Sequence, residues 1–230
     1  MSDVLKLENI RKTYGEGDTA NEVLHGINFS LKQGEFSALI GPSGSGKSTL
    51  LNMIGLLEPP TSGEIYIQGK ATSVLPEQQL TLLRGRSIGF VFQFHHLIPA
   101  FNALENVMMP LLIERKRPDA AMREKAMYLL EQVGLADFAM RKPNQLSGGQ
   151  QQRVAIVRAL AMDPPLILAD EPTGNLDTKT ADDIFALLRK LNQEKGLTFL
   201  IVTHDPRLAD RCDRIIRLVD GAVKEDTQIT

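Results

Sequence analysis

Apolar and polar positions alternate twice near the start of the chain, at Leu5 and Leu7 and again at Val23, Ile27, Phe29 and Leu31, with a glycine-rich stretch, Gly15 to Asp18, between the two runs. Period-two alternation interrupted by a turn signal predicts antiparallel strands with one buried face. The first ten residues, Met1 to Ile10, share the alternation and lack a long apolar run, so they read as a strand and not as a secretory signal. Phe36 to Ile40 is a largely apolar run, interrupted only by Ser37, and reads as a strand. After nine small or polar residues, Leu50, Leu51 and Ile54 take up helical spacing.

Pro59 to Gly63 is a turn, Glu64 to Gln68 a short strand with Ile65 and Ile67 on one face, and Gln68 to Lys70 a second turn. Pro76 to Leu83 predicts a helix with proline at its first position. Ala103 to Arg115 and Asp119 to Val133 predict two more, the second with Ala126, Leu129, Leu130 and Val133 on one stripe. Three compact apolar runs each deliver polar residues at their ends. Ile88 to Phe92 leads to Gln93, Leu166 to Ala169 leads to Asp170 and Glu171, and Thr198 to Val202 leads to Thr203, His204 and Asp205. Ile215 to Val219 and Ala222 to Glu225 flank Asp220 and Gly221 as a hairpin with a two-residue turn.

Composition narrows the classes. With 230 residues, 43% of them hydrophobic, the chain suits one large domain, or a core with a subdomain, and not a disordered segment. The net charge is −2 with both signs interspersed, so no footprint for nucleic acid stands out. The single cysteine, Cys212, has no partner for a disulfide or a zinc site and points to a reducing compartment, the cytosol. Apolar stretches such as Val107 to Ile113 fall far short of the roughly 20 residues needed to cross a bilayer, so a membrane role needs partner subunits.

The candidate chemistry starts at Gly41 to Thr49, which fits the phosphate-binding pattern GxxxxGK[ST] with Gly41, Gly46, Lys47 and Ser48 at its fixed places. Glycines let successive N–H groups curl inward toward the positive end of the following helix, a hollow suited to a polyphosphate. Lys47 would lie along the β- and γ-phosphate oxygens, and the Ser48 hydroxyl would meet the Mg²⁺ that travels with the nucleotide. Leu146 to Gln150 opens a second helix at Ser147, where Gly148 and Gly149 leave backbone donors free; this is either a second anion site or an ordinary N-cap. Asp170 can hold Mg²⁺, Glu171 can polarise an attacking water, and Gln93 can bond a metal-bound water without adding charge. His204 can donate to a γ-phosphate oxygen, or be a satisfied core histidine. Tyr14 can stack on a nucleotide base, or cap the edge of the core. His95 and His96 are neighbours without companions at ligand spacing, so they read as an exposed contact loop, and Arg115 to Arg117 as a solvated basic turn.

In this order the motifs resemble the nucleotide-binding domain of ATP-binding cassette (ABC) proteins, over nearly the whole chain. The resemblance implies an α/β fold of the P-loop NTPase type: a RecA-like mixed-sheet core, an N-terminal antiparallel β-subdomain and an α-helical signature subdomain. Its expected bounds are 1–93 with 163–230 for the core, and 94–162 for the helical part. It implies a homodimer in which ATP lies between the phosphate loop of one copy (Gly41, Ser43, Gly44, Gly46, Lys47, Ser48 and Thr49, with Tyr14) and Ser147, Gly148, Gly149 and Gln150 of the other, with Asp177 close by. Mg²⁺ would be held by Ser48, Gln93 and Asp170, and Glu171 and His204 would promote hydrolysis, with Gln93 reporting the γ-phosphate. The runs Gln93 to Pro99, Leu104 to Val107 and Ala169 to Asp177 look like the MacB and Lol group, which implies the ATPase of a bacterial inner-membrane transporter, peripheral on its cytoplasmic face. Lipoprotein release is the first reading and macrolide or peptide efflux the alternative. The segment after Gln93, Phe94 to Leu97 with Leu104 to Met108, would then receive the membrane subunits. Chromosome and DNA-repair cassettes split their motifs with a long coiled coil, and translation cassettes come in pairs, whereas here Lys47 and Ser147 are joined by one stretch of non-heptad sequence. A slowly hydrolysing binding module is the third option, and the intact Glu171 speaks against it.

Overall fold

A computed structural model describes residues 3–229, so Met1 and Ser2 of the expected first strand lie outside the described residues. β1 (Asp3–Tyr14) and β2 (Asn21–Lys32) pair antiparallel, β4 (Ser62–Ile67) joins the other edge of β1, and β5 (Lys70–Ala71) closes a four-stranded sheet in the order β2-β1-β4-β5. The second sheet holds β3 (Phe36–Ile40), β6 (Ile88–Phe92), β7 (Leu166–Asp170), β8 (Thr198–Val202), β9 (Arg214–Val219) and β10 (Ala222–Gln228). Its order is β10-β9-β3-β8-β7-β6, parallel from β9 to β6 with β10 antiparallel at one edge. This is the expected mixed α/β architecture.

The apolar strands β3, β7 and β8 are buried throughout, save the half-buried last residues Ile40 and Asp170, because both faces of their sheet are covered. Alternate residues feed two cores. Phe36, Ala38, Ile167, Ala169, Phe199 and Ile201 face helices, with Phe36 5.5 Å from Phe185 and 5.3 Å from Phe199 between ring centroids. Leu39, Leu166, Leu168, Leu200 and Val202 face the antiparallel sheet and the helix α1 (Lys47–Ile54). Each fully buried Leu or Phe here contributes roughly 2–3 kcal/mol of transfer free energy.

The remaining helices are α2 (Glu77–Ser87), α3 (Ala103–Arg115), α4 (Ala120–Gln132), α5 (Gly148–Ala159), α6 (Thr178–Lys195) and the short α7 (Pro206–Ala209). α2 departs from expectation at both ends. Pro76 is extended and sits outside the helix as its N-cap, and the helix continues through Ser87 after its last buried leucine, Leu83. Within this last stretch Arg84 donates to the carbonyl of Leu56 at 2.8 Å, a long-range bond invisible to periodicity. Asp119 and Val133 are caps of α4 and not members; the Asp119 carboxylate accepts from the Met122 N–H at 2.7 Å.

Two expectations about the loop after β6 are corrected. Leu104, Val107 and Met108 are buried among α4 and α5, since α3 turns its apolar stripe inward, so Leu104 to Met108 offers a partner only Glu105. His95 is half-buried, its ring held by Gln152 of α5, while Phe94 and His96 are exposed.

Candidate functional site

Strand register lines up the polar residues. Phe92 pairs with Asp170, Asp170 with Val202, and Leu39 with Val202, so Gln93, Glu171, Thr203 and Gly41 all leave the same edge of the parallel sheet. In open α/β sheets that carboxyl edge is where ligands bind. A cleft of about 470 Å³ opens there, lined by Val23, Gly41, Ser43, Gly44, Gly46, Lys47, Ser48, Thr49, Asp170, Glu171, Val202 and His204.

The loop that floors the cleft tolerates no side chain at two places. A Cβ on Gly41 would lie 2.0 Å from the Leu218 carbonyl oxygen, and Gly46, at φ 98°, would set one 2.7 Å from Leu24. Gly46 is the N-cap of α1, and no side chain caps that terminus, so the dipole end is open toward the cleft. Lys47 Nζ donates to the carbonyls of Gly41 (2.9 Å) and Pro42 (2.8 Å), which holds its charge over the loop.

The opposite wall is acidic. Asp170 is half-buried, and its carboxyl is pushed above the ordinary carboxylate range by burial and then by the neighbouring Glu171, with Lys47 opposing. Asp170 has no ion-pair or hydrogen-bond partner for its carboxylate among the described residues. Ser48 and Asp170 are hard oxygen donors in one cleft, and no cluster of three His, Cys, Asp or Glu forms a cation cage among the described residues. That donor set fits Mg²⁺, which takes one or two protein oxygens and completes its shell with phosphate and water. Gln93 stands one step back from the cleft. Its Nε2 donates to Asn175 Oδ1 at 3.0 Å, leaving its own amide oxygen free.

Glu171 sits at φ 46°, a left-handed conformation that costs a non-glycine residue on the order of 1 kcal/mol. Two bonds hold it there: its N–H donates to Val202 O at 2.9 Å, and its carbonyl accepts from Gly174 at 3.0 Å. Its carboxylate meets His204 Nδ1 at 2.8 Å. Facing an acceptor, Nδ1 carries a proton, and Nε2 is left for another partner.

The other sequence candidates lie elsewhere in the chain. Ser147, Gly148, Gly149 and Gln150 begin α5 outside the cleft. Ser147 Oγ accepts from Gln150 N (3.3 Å) and Gln150 Oε1 accepts from Ser147 N (2.9 Å), a reciprocal capping box. This turn packs beside α6: a Cβ on Gly149 would stand 2.6 Å from Thr180, whose N–H and hydroxyl both bond the N-cap carboxylate of Asp177. Tyr14 is partly exposed at the end of β1. Its hydroxyl donates to Glu58 at 2.8 Å and Lys12 Nζ lies 5.0 Å from its ring centre.

Sequence reading missed Asn175, Glu58 and Gln152. Asn175 and Glu58 carried no local signal. Gln152 did carry one, a polar residue at the buried stripe of a helix whose other members are Ala155 and Ile156.

A family model described as ABC transporter matches residues 24–174. The lipoprotein-releasing system ATP-binding protein LolD 1 of Rhodopseudomonas palustris is 60% identical over 224 residues, covering 97% of this chain and 99% of that protein. LolD of Anaeromyxobacter dehalogenans is 60% identical over 222 residues, 96% of this chain and 93% of that protein. Among solved structures, a dimeric post-hydrolysis state of the ATP-binding cassette MJ0796 bound to ADP and Pi superposes with a TM-score of 0.88 at 49% identity, covering 98% of this chain and 99% of that one. CbiO1 from Clostridium perfringens, part of the ABC transporter complex cbiONQ, gives 0.89 at 31% identity, covering 100% and 90%.

Proposed function

The chain belongs to the ABC transporter family, and on that premise we propose that it is the ATP-hydrolysing subunit of a lipoprotein-releasing transporter, peripheral on the cytoplasmic face of a bacterial inner membrane. The observation that carries the catalytic part is the cleft itself, with a phosphate loop as its floor and the Glu171–His204 pair as its wall. The lipoprotein part rests on 60% identity along 97% of the chain.

ATP enters with its phosphates on the loop amides of Gly41 to Thr49 and on Lys47, and its base against Tyr14. Ser48 and Asp170, with Gln93, would hold Mg²⁺, which would supply neutralisation of phosphate charge. Glu171 orients a water in line with the γ-phosphate and takes its proton, giving ADP and inorganic phosphate. His204 steadies that carboxylate through its Nδ1–H and places its imidazole beside the departing phosphoryl oxygens. Both residues leave adjacent parallel strands, so their spacing is set by the sheet.

The turn Ser147 to Gln150 lies outside its own cleft, which supports a head-to-tail pair in which each copy completes the other's site. Two anion sites for one nucleotide are then one composite site. We assign residues 94–162 to a helical lever and the exposed Phe94 to the contact with membrane subunits.

Glu171→Gln keeps ATP binding and loses the proton acceptor. Its turnover is expected to fall by about 10²–10⁴-fold, with an ATP-bound dimer accumulating on size-exclusion chromatography. Wild-type turnover in that variant would remove Glu171 from the mechanism. Affinity purification from detergent-solubilised membranes with ATP is expected to recover membrane subunits with lipidated protein; one permease without lipoprotein would move the assignment to efflux.

A further inference from the structure

Gln152 lies in the second turn of α5, with no exposed surface. An amide there destabilises the fold unless its polar atoms are bonded. They are, to three residues on two segments, the end of β6 with its following loop and the loop after β7. Nε2 donates to the carbonyls of Phe92 (3.1 Å) and Pro172 (2.7 Å), and Oε1 meets His95 Nδ1 at 2.5 Å. The two carbonyls can only accept, so the nitrogen must face them; the oxygen therefore turns to His95, whose Nδ1 must carry the proton.

The positions of those partners give the arrangement meaning. Phe92 immediately precedes Gln93, Pro172 immediately follows Glu171, and α5 opens at Ser147. Arg158, further along α5, donates to the carbonyls of His95 (2.8 Å) and His96 (2.6 Å), so the exposed loop around Phe94 leans on the same helix.

We propose that Gln152 is a positioning residue for hydrolysis: its planar amide sets the backbone beside Gln93 and Glu171 relative to Ser147 and couples both, through His95, to the Phe94 loop. The proposal rests on the ATPase reading above. It differs from a packing role because it predicts loss of turnover without loss of nucleotide affinity, Gln152 being absent from the nucleotide cleft.

The test uses the full chain alone and co-purified with its membrane subunits. Gln152→Leu keeps the volume and removes the donors. Its kcat is expected to fall about tenfold or more while KM for ATP stays within about twofold. A folded Gln152→Leu with wild-type kcat overturns the proposal, as does an equal loss in kcat and in ATP affinity. His95→Ala removes one partner from the half-buried side and leaves the two carbonyls bonded. In the complex it is expected to reduce ATPase activity less than Gln152→Leu does, and the double variant should be no worse than Gln152→Leu alone. Multiplying effects overturn the coupling. If Gln152→Leu does not fold, His95→Ala in the complex decides, with unaltered turnover overturning it. A wild type without ATPase activity removes this proposal together with the functional reading; an active wild type with indifferent variants removes this one alone.

Discussion

The chain begins two helices with glycine and serine, and the two termini behave in opposite ways. At α1 the N-cap is Gly46 in a left-handed conformation, no side chain caps the first turn, and the terminus opens into a cleft walled by Asp170 and Glu171. At α5 the N-cap is Ser147, and Ser147 with Gln150 satisfies two of the terminal donors from within the turn. The first terminus is unsatisfied by its own chain and holds a cation, Lys47, beside it; the second is closed on itself and has no lysine or arginine before Arg153. A helix dipole is common to both, and what differs is how many donors are left for a ligand. α1 leaves its terminal donors open, whereas α5 has already used two of its own, which is the contrast the proposed composite site draws on.

The largest test of that contrast is Lys47→Ala. It removes the charge from the terminus that relies on one, and ATP affinity is expected to fall on the order of 10- to 100-fold by titration calorimetry. Equal affinity would mean the loop amides suffice. Ser147→Ala probes the other terminus. ATP affinity of the isolated chain should stay within about twofold, while loss of the cap costs about 1 kcal/mol of stability. If the turn completes a partner's site, ATPase activity drops about tenfold and loses its sigmoidal dependence on protein concentration. A variant that lost ATP affinity in the monomer would place the turn in its own site.

The smallest expected effect concerns Asp170. Its carboxyl is raised by burial and by Glu171, so the fold favours the protonated form. That contribution is present below the ordinary carboxylate pKa and is lost as pH rises through the raised value; at neutral pH the ionised group is a cost. Asp170→Asn should therefore raise the melting temperature of the nucleotide-free chain at pH 7 by about 2 °C or less, with the difference vanishing in acid. The same variant should lose the extra stabilisation that Mg²⁺ adds to ATP. A lower melting point at pH 7 would show that the carboxylate is already compensated.

Much of the site could be read from the chain because its chemistry is carried by contiguous residues. The loop Gly41 to Thr49, the pair Asp170–Glu171 and the cap Ser147–Gln150 are local patterns, and each predicted its own strand end or helix start. Docking was less legible. The family resemblance implied Leu104 to Met108 as a contact segment, yet the inward face of α3 buries three of its apolar residues, which depends on α4 and α5. The last turn of α2, through Ser87, likewise carries a bond that no local pattern announces, from Arg84 to the carbonyl of Leu56, 28 residues away.

The sequence by itself determined most of the elements, though not α6, α7 or β5, together with the phosphate loop with its two indispensable glycines and the acids and histidine that end the apolar strands. These follow from dihedral limits, local donors and alternation, all decided within a few residues. Only the tertiary structure decided which of them meet. The order β3-β8-β7-β6 brings Gly41, His204, Glu171 and Gln93 to one edge, leaves Ser147 outside it, and encloses Gln152 between the loops after β6 and β7. That order is the one that buries both faces of the parallel strands at once, in two cores assembled from residues far apart along the chain.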